Sequence, residues 1–68
     1  MTDLTIKVKY RIGEVVYSRS DNEGRVRFVT GYIIRKGVVI YIISLDGMET
    51  FYYDFELLGE NEQLLGLN

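Results

Sequence analysis

Residues 25–53 read RVRFVTGYIIRKGVVIYIISLDGMETFYY, and their reading decides the fold. The stretch carries most of the apolar mass of the chain and is broken by glycine at two places, which predicts three consecutive antiparallel strands. Leu45-Asp46-Gly47-Met48 sets Asp-Gly between two β-rich runs, and both residues tolerate the positive φ that a two-residue type I′ hairpin demands. Counting outward from that turn opposes Leu45 to Met48, Ile43 to Thr50, Ile42 to Phe51, Tyr41 to Tyr52 and Ile40 to Tyr53. Arg35-Lys36-Gly37 reads as a three-residue loop with Gly37 left-handed, because Lys-Gly is a poor type I′ pair; Ile34 then faces Val38.

In that register Val26, Phe28, Thr30, Tyr32 and Ile34 share one face with Val38, Ile40, Ile42, Phe51 and Tyr53, and this face is the expected core. Arg25 and Arg27 point the other way, together with Val29, Ile33, Val39, Tyr41 and Ile43. A sheet apolar on both sides either closes into a barrel, with Gly31 as the bend, or pairs with a second copy; closure is the expectation.

The 68 residues make one domain, with its core over residues 6–58 and a closing strand or tail over 59–68. A chain this short buries only about 60% of its unfolded surface, so its stability is modest. With no cysteine there is neither a disulfide nor a thiolate metal site, which fits a reducing cytoplasm. The start, Met1-Thr2-Asp3-Leu4, lacks the pattern of a secretory signal, and no run reaches the ~18 apolar residues of a membrane span, so the expectation is a soluble protein that does not engage a membrane.

The net charge of −2 conceals opposite halves. Residues 1–36 hold all eight bases against four acids, a net +4, whereas residues 37–68 hold six acids and no base. Either the strands offset one another's charge, or a basic face binds an anion. Ile6, Val8, Tyr10 and Ile12 alternate with Lys7, Lys9 and Arg11, the period of a half-buried strand that bends at Gly13 and resumes through Val15-Val16-Tyr17. Lys7, Lys9 and Arg11 beside Arg25 and Arg27 form the candidate nucleic-acid face, although lysines on an edge strand equally discourage aggregation. Residues 18–24 form the longest polar loop, and their acids lack the alternating ligand pattern of a calcium loop. Residues 54–58 read as a single helical or 3-10 turn with Asp54 as its N-cap, Gly59 as its stop, and Phe55 and Leu58 on one side. Leu64, Leu65 and Leu67 are expected to return as a last short strand or plug.

Without histidine or cysteine the usual general base and thiolate nucleophile are missing, and Asp46, Glu49 and Asp54 near one hairpin are too weakly enclosed for an acid pair. No enzyme, cofactor or metal is therefore expected. Tyr17, Tyr41, Tyr52, Phe51 and Asp54 supply the residue types of a cage for a methylated cation, but nine aromatics are also what a small core needs as filling.

Tyr10-Arg11-Ile12-Gly13-Glu14-Val15-Val16, the basic-Val-x-Phe-Val-Thr-Gly-Tyr-Ile strand, the Gly37 and Asp46-Gly47 turns and the closing Tyr-x-x-Glu-Leu of residues 53–57 resemble the small SH3-like barrels of Tudor and KOW type. The resemblance covers residues 10–58 and is nearer still to short stand-alone proteins of that shape encoded by bacteriophages and prophages. It implies an all-β barrel of about five antiparallel strands, with functions that differ from member to member. The expected function is a protein-interaction module, a monomer or homodimer, whose binding surface is Tyr17, Asp21, Asn22, Tyr41 and Tyr52. The alternative is a nucleic-acid accessory protein of KOW type.

Overall fold

The computed structural model describes residues 6–64. Five antiparallel strands, β1 (Val15–Ser18), β2 (Arg27–Arg35), β3 (Val38–Leu45), β4 (Met48–Tyr53) and β5 (Leu57–Gly59), form one sheet in the order β4-β3-β2-β1-β5. A 3-10 turn at Asp54–Glu56 joins β4 to β5, and a short helix, α1 (Glu60–Leu64), follows. The all-β class, the strand number and the lone turn are as expected, and the order is compatible with a small barrel-like fold. The sheet is nevertheless not closed into a barrel: β4 and β5 occupy opposite edges, and three-residue β5 forms its ladder with β1.

The β3–β4 hairpin has the expected register throughout, with Asp46 at φ 52° and Gly47 at φ 79°. The β2–β3 turn differs. Lys36 (φ 51°) and Gly37 (φ 80°) make a two-residue loop, so Arg35 faces Val38 and Ile34 faces Val39. A bulge between Val29 and Gly31 adds a second shift, and it puts Val29 and Tyr32 on the same side of the sheet despite their odd spacing.

The core consequently lies on the side opposite to the expected one. Val29, Tyr41 and Ile43 are buried with Tyr10, Val16 and Leu57, and Tyr32, Val39 and Tyr52 pack against them. The face expected to be core is the outer one, where Phe28, Val38, Phe51 and Tyr53 are exposed. Both faces of β3 are apolar, so hydrophobicity alone did not choose between them; the covering segments did. Tyr10 from the N-terminal segment and Leu57 from β5 arrive on the Tyr41–Ile43 side.

The N-terminal alternation does not form a strand. Instead the tyrosines latch this segment: Tyr10 and Tyr32 meet Tyr41 edge-on at centroid distances of 5.5 and 5.6 Å, the Tyr32 hydroxyl donates to the Tyr10 carbonyl at 2.6 Å, and the Lys9 N–H donates to Tyr41 Oη at 2.8 Å. Gly13, at φ 91°, turns the chain and donates to the Val29 carbonyl. At the other end Asp54 is inside the 3-10 turn rather than its cap; the Glu56 carboxylate accepts from the Tyr53 N–H at 2.8 Å. Residues 60–64 are helical rather than a strand, and Leu65 and Leu67 lie outside the described residues. Among the described residues no helix is long and apolar enough to cross a membrane.

Candidate functional site

The residues expected to bind a protein do not converge. Tyr41 is 1% exposed and belongs to the core, and Tyr52 packs against the same core. Tyr17 follows Val15, which faces Phe28, and so lies on the outer side of the sheet. A cage is ruled out by the same placement, since Phe51 faces outward with Ile42 while Tyr41 and Tyr52 face inward.

Asp21 organises its loop instead of presenting a surface. Its carboxylate accepts from the Glu23 and Arg25 N–H groups at 3.0 and 3.2 Å and from Arg27 Nη1 at 2.9 Å. Asn22 remains exposed at the loop tip. Arg27 is 6% exposed, donating also to the Arg25 carbonyl, so it leaves the proposed basic face. Arg25 stays exposed but is paired with Asp21 and Glu23. The hydrogen bond from Arg27, followed by that from the Glu23 N–H, holds the Asp21 carboxyl at about 2, below its ordinary 3.8. The folded value is depressed, so this contribution is complete above the ordinary value and is lost as pH falls from there through about 2. Glu62, lowered chiefly by the Gly59 N–H, acts in the same direction. The urea midpoint of the wild type should therefore fall between about pH 5 and pH 2, and that of Asp21→Asn should fall less, from a lower starting value.

What the fold does bring together is a groove at the end of β4, between the N-terminal segment and the 3-10 turn. Its volume is about 470 Å³, and Lys7, Lys9, Val38, Tyr53, Asp54 and Phe55 are among its lining residues. The Tyr53 and Phe55 rings stack at 5.4 Å with an interplanar angle of 5°. Phe55, expected to share a side with Leu58, does not share its burial: Phe55 is 68% exposed, while Leu58 is buried. Lys7 and Lys9 are both exposed, and Lys9 Nζ stands 5.5 Å from the Tyr10 centroid. A neighbouring depression of about 490 Å³ is lined by Glu14, Glu60 and Glu62 and carries no exposed ring. The only sequence signal for the stacked pair was two aromatics flanking Asp54, which a core reading absorbs equally well. Among the described residues no group of three or more acids is placed to hold a metal ion.

Comparison with protein-family models, with curated proteins and with solved structures finds no match to this chain.

Proposed function

We propose that the chain is a non-enzymatic protein-interaction module whose groove takes an extended partner segment carrying acidic and apolar side chains. The stacked, solvent-facing Tyr53–Phe55 pair beside Lys7 and Lys9 carries this reading. Rigid aromatic surface adds contact area at low entropic cost, and the two ammonium groups favour an acidic neighbour. The resemblance of the sequence to stand-alone phage and prophage proteins supports a host or phage protein as the partner, met in the bacterial cytoplasm.

Immobilised wild-type chain should capture a partner from the source cell, with Phe55→Ala and Lys7→Glu each weakening capture at least about tenfold, as expected for an anchor and its charged flank. Capture that survives both substitutions would refute the groove as the binding site.

Rings beside lysines also suit single-stranded nucleic acid, and this observation keeps that second reading in view. With Arg25 and Arg27 engaged by acids, Lys7, Lys9 and Arg11 allow about three phosphate contacts and a log–log salt slope of about −2 to −3. At about 150 mM salt, binding should be no tighter than the nonspecific ~10⁻⁴–10⁻⁶ M range. Submicromolar binding to a DNA or RNA panel, lost in Lys7→Glu with Lys9→Glu, would reverse the order of the two readings.

A further inference from the structure

We propose that the outer face of β2–β4 is covered by a second copy of this chain, packed face to face with its strands antiparallel about a twofold axis that crosses the middle of β3. The inference does not rest on the groove or its partner, although Val38 and Tyr53 belong to this face and also line the groove. The centre of the face is apolar: on β3, Ile40 stands between Ile33 on β2 and Tyr53 on β4, and Ile42 between Gly31 and Phe51, which is 63% exposed. No described element covers these side chains, because the N-terminal segment and β5 pack on the other side.

The charges at the two ends of this face name the occupant. Arg35 faces Val38 at one end and Glu49 faces Ser44 at the other, both on the outer side. Lys36 extends the basic end and Asp46 the acidic end, both in the exposed turns. Val38 and Ser44 are six positions apart along β3, about 20 Å at 3.4 Å per residue, so the two charge groups lie beyond screening range of each other within one chain. A twofold across the centre reverses the face onto itself. It brings the basic end of each copy over the acidic end of the other, twice, and sets isoleucine and phenylalanine against their equivalents, the self-complementarity that an isologous interface requires. Glu49 is already oriented for this role, since Thr30 Oγ1 donates to its Oε2 at 2.7 Å.

The area suffices. The eight residues of β3 span about 27 Å, and three strands about 4.8 Å apart cover about 14 Å. Side-chain relief raises two such footprints to on the order of 1,000 Å² of accessible surface, where specific interfaces begin. Sheets so packed lie about 10 Å apart with strands within about 30° of alignment.

The test is charge exchange followed by sedimentation equilibrium at several concentrations, with circular dichroism confirming that each variant is folded. Wild type should sediment as a dimer. Arg35→Glu places like charges opposite each other at both ends, as does Glu49→Arg, and each should dissociate at least about tenfold more readily. In an equimolar mixture, a copy carrying Arg35→Glu presents acids at both ends to a copy carrying Glu49→Arg, which presents bases at both. Opposite charges then meet at each end, and the mixture should recover the wild-type dissociation constant. Ile42→Asp should abolish association in every background. A wild type that stays monomeric at about 100 times the micromolar range typical of weak complexes, or a mixture that dissociates as readily as its components, would overturn the proposal.

Discussion

Ile43→Ala should leave much of the protein unfolded at 25 °C, whereas Ile42→Ala, one residue earlier, should leave the fold standing. Ile43 is fully buried opposite Val29, and truncating such a side chain costs about 2–5 kcal/mol in lost transfer energy and residual cavity. A domain of this size rarely holds more than about 3–5 kcal/mol in total, so the two quantities are comparable. Ile42 faces the other way, over Gly31, whose missing Cβ would stand 3.3 Å from Ile42 Cδ1. It is only half-buried, and its truncation removes a fraction of the contact area, about 1 kcal/mol. Urea unfolding followed by circular dichroism, at protein concentrations low enough to keep self-association out of the balance, separates the two. Equal losses, or a greater loss at Ile42, would show the sheet to be covered on the Phe51 side.

The contrast between these neighbours marks where the sequence was legible and where it was not. Asp46-Gly47 announces its hairpin because both residues suit positive φ on their own account, and every pair of β3 with β4 follows from it. Lys36 does not announce the second hairpin. It is held at φ 51° by the ladder on both sides of it, so tertiary pairing overrides a residue preference worth only about 1–2 kcal/mol. The bulge before Gly31 is silent as well, apart from the glycine itself, yet it decides where Tyr32 and Ile34 point. The period of two in residues 6–12 is a true alternation without a strand to hold it, because the tyrosine contacts take up that segment's backbone through the Lys9 N–H and the Tyr10 carbonyl. Arg27 and Asp21 are six positions apart in sequence and only the turn at 22–24 makes them partners, so one candidate from each expected surface became part of the scaffold. The candidate groove was illegible for the same reason: its lysines and its rings come from segments nearly fifty residues apart.

Tyr10→Ala should release the segment that walls this groove and unfold the protein with it. The ring is 2% exposed, meets Tyr41 edge-on and lies against Gly59, so its loss resembles a buried Phe→Ala change of about 3–5 kcal/mol. Lys7 and Lys9 precede it directly, and at temperatures where a residual native population persists, amide exchange at Lys9 should accelerate before exchange in β3 does. Tyr10→Phe separates the ring from its hydroxyl. The hydroxyl is directed at the Leu57 carbonyl and at Glu62 Oε1 over long distances of 3.3 and 3.4 Å, so at neutral pH its removal should cost about 1 kcal/mol or less. At alkaline pH the order changes. Burial first, and the Glu62 carboxylate second, push the Tyr10 phenol from 10 up to about 12. Its folded value is raised, so this contribution is intact below pH 10 and is lost as pH rises toward about 12, where the unfolded chain has already released the proton. Wild-type stability should therefore decline more steeply than that of Tyr10→Phe between pH 10 and about 12, and the two curves should converge or cross in that window. Parallel curves would mean that the Tyr10 hydroxyl meets solvent in the folded protein and that the segment carrying Lys7 and Lys9 is not latched against β5.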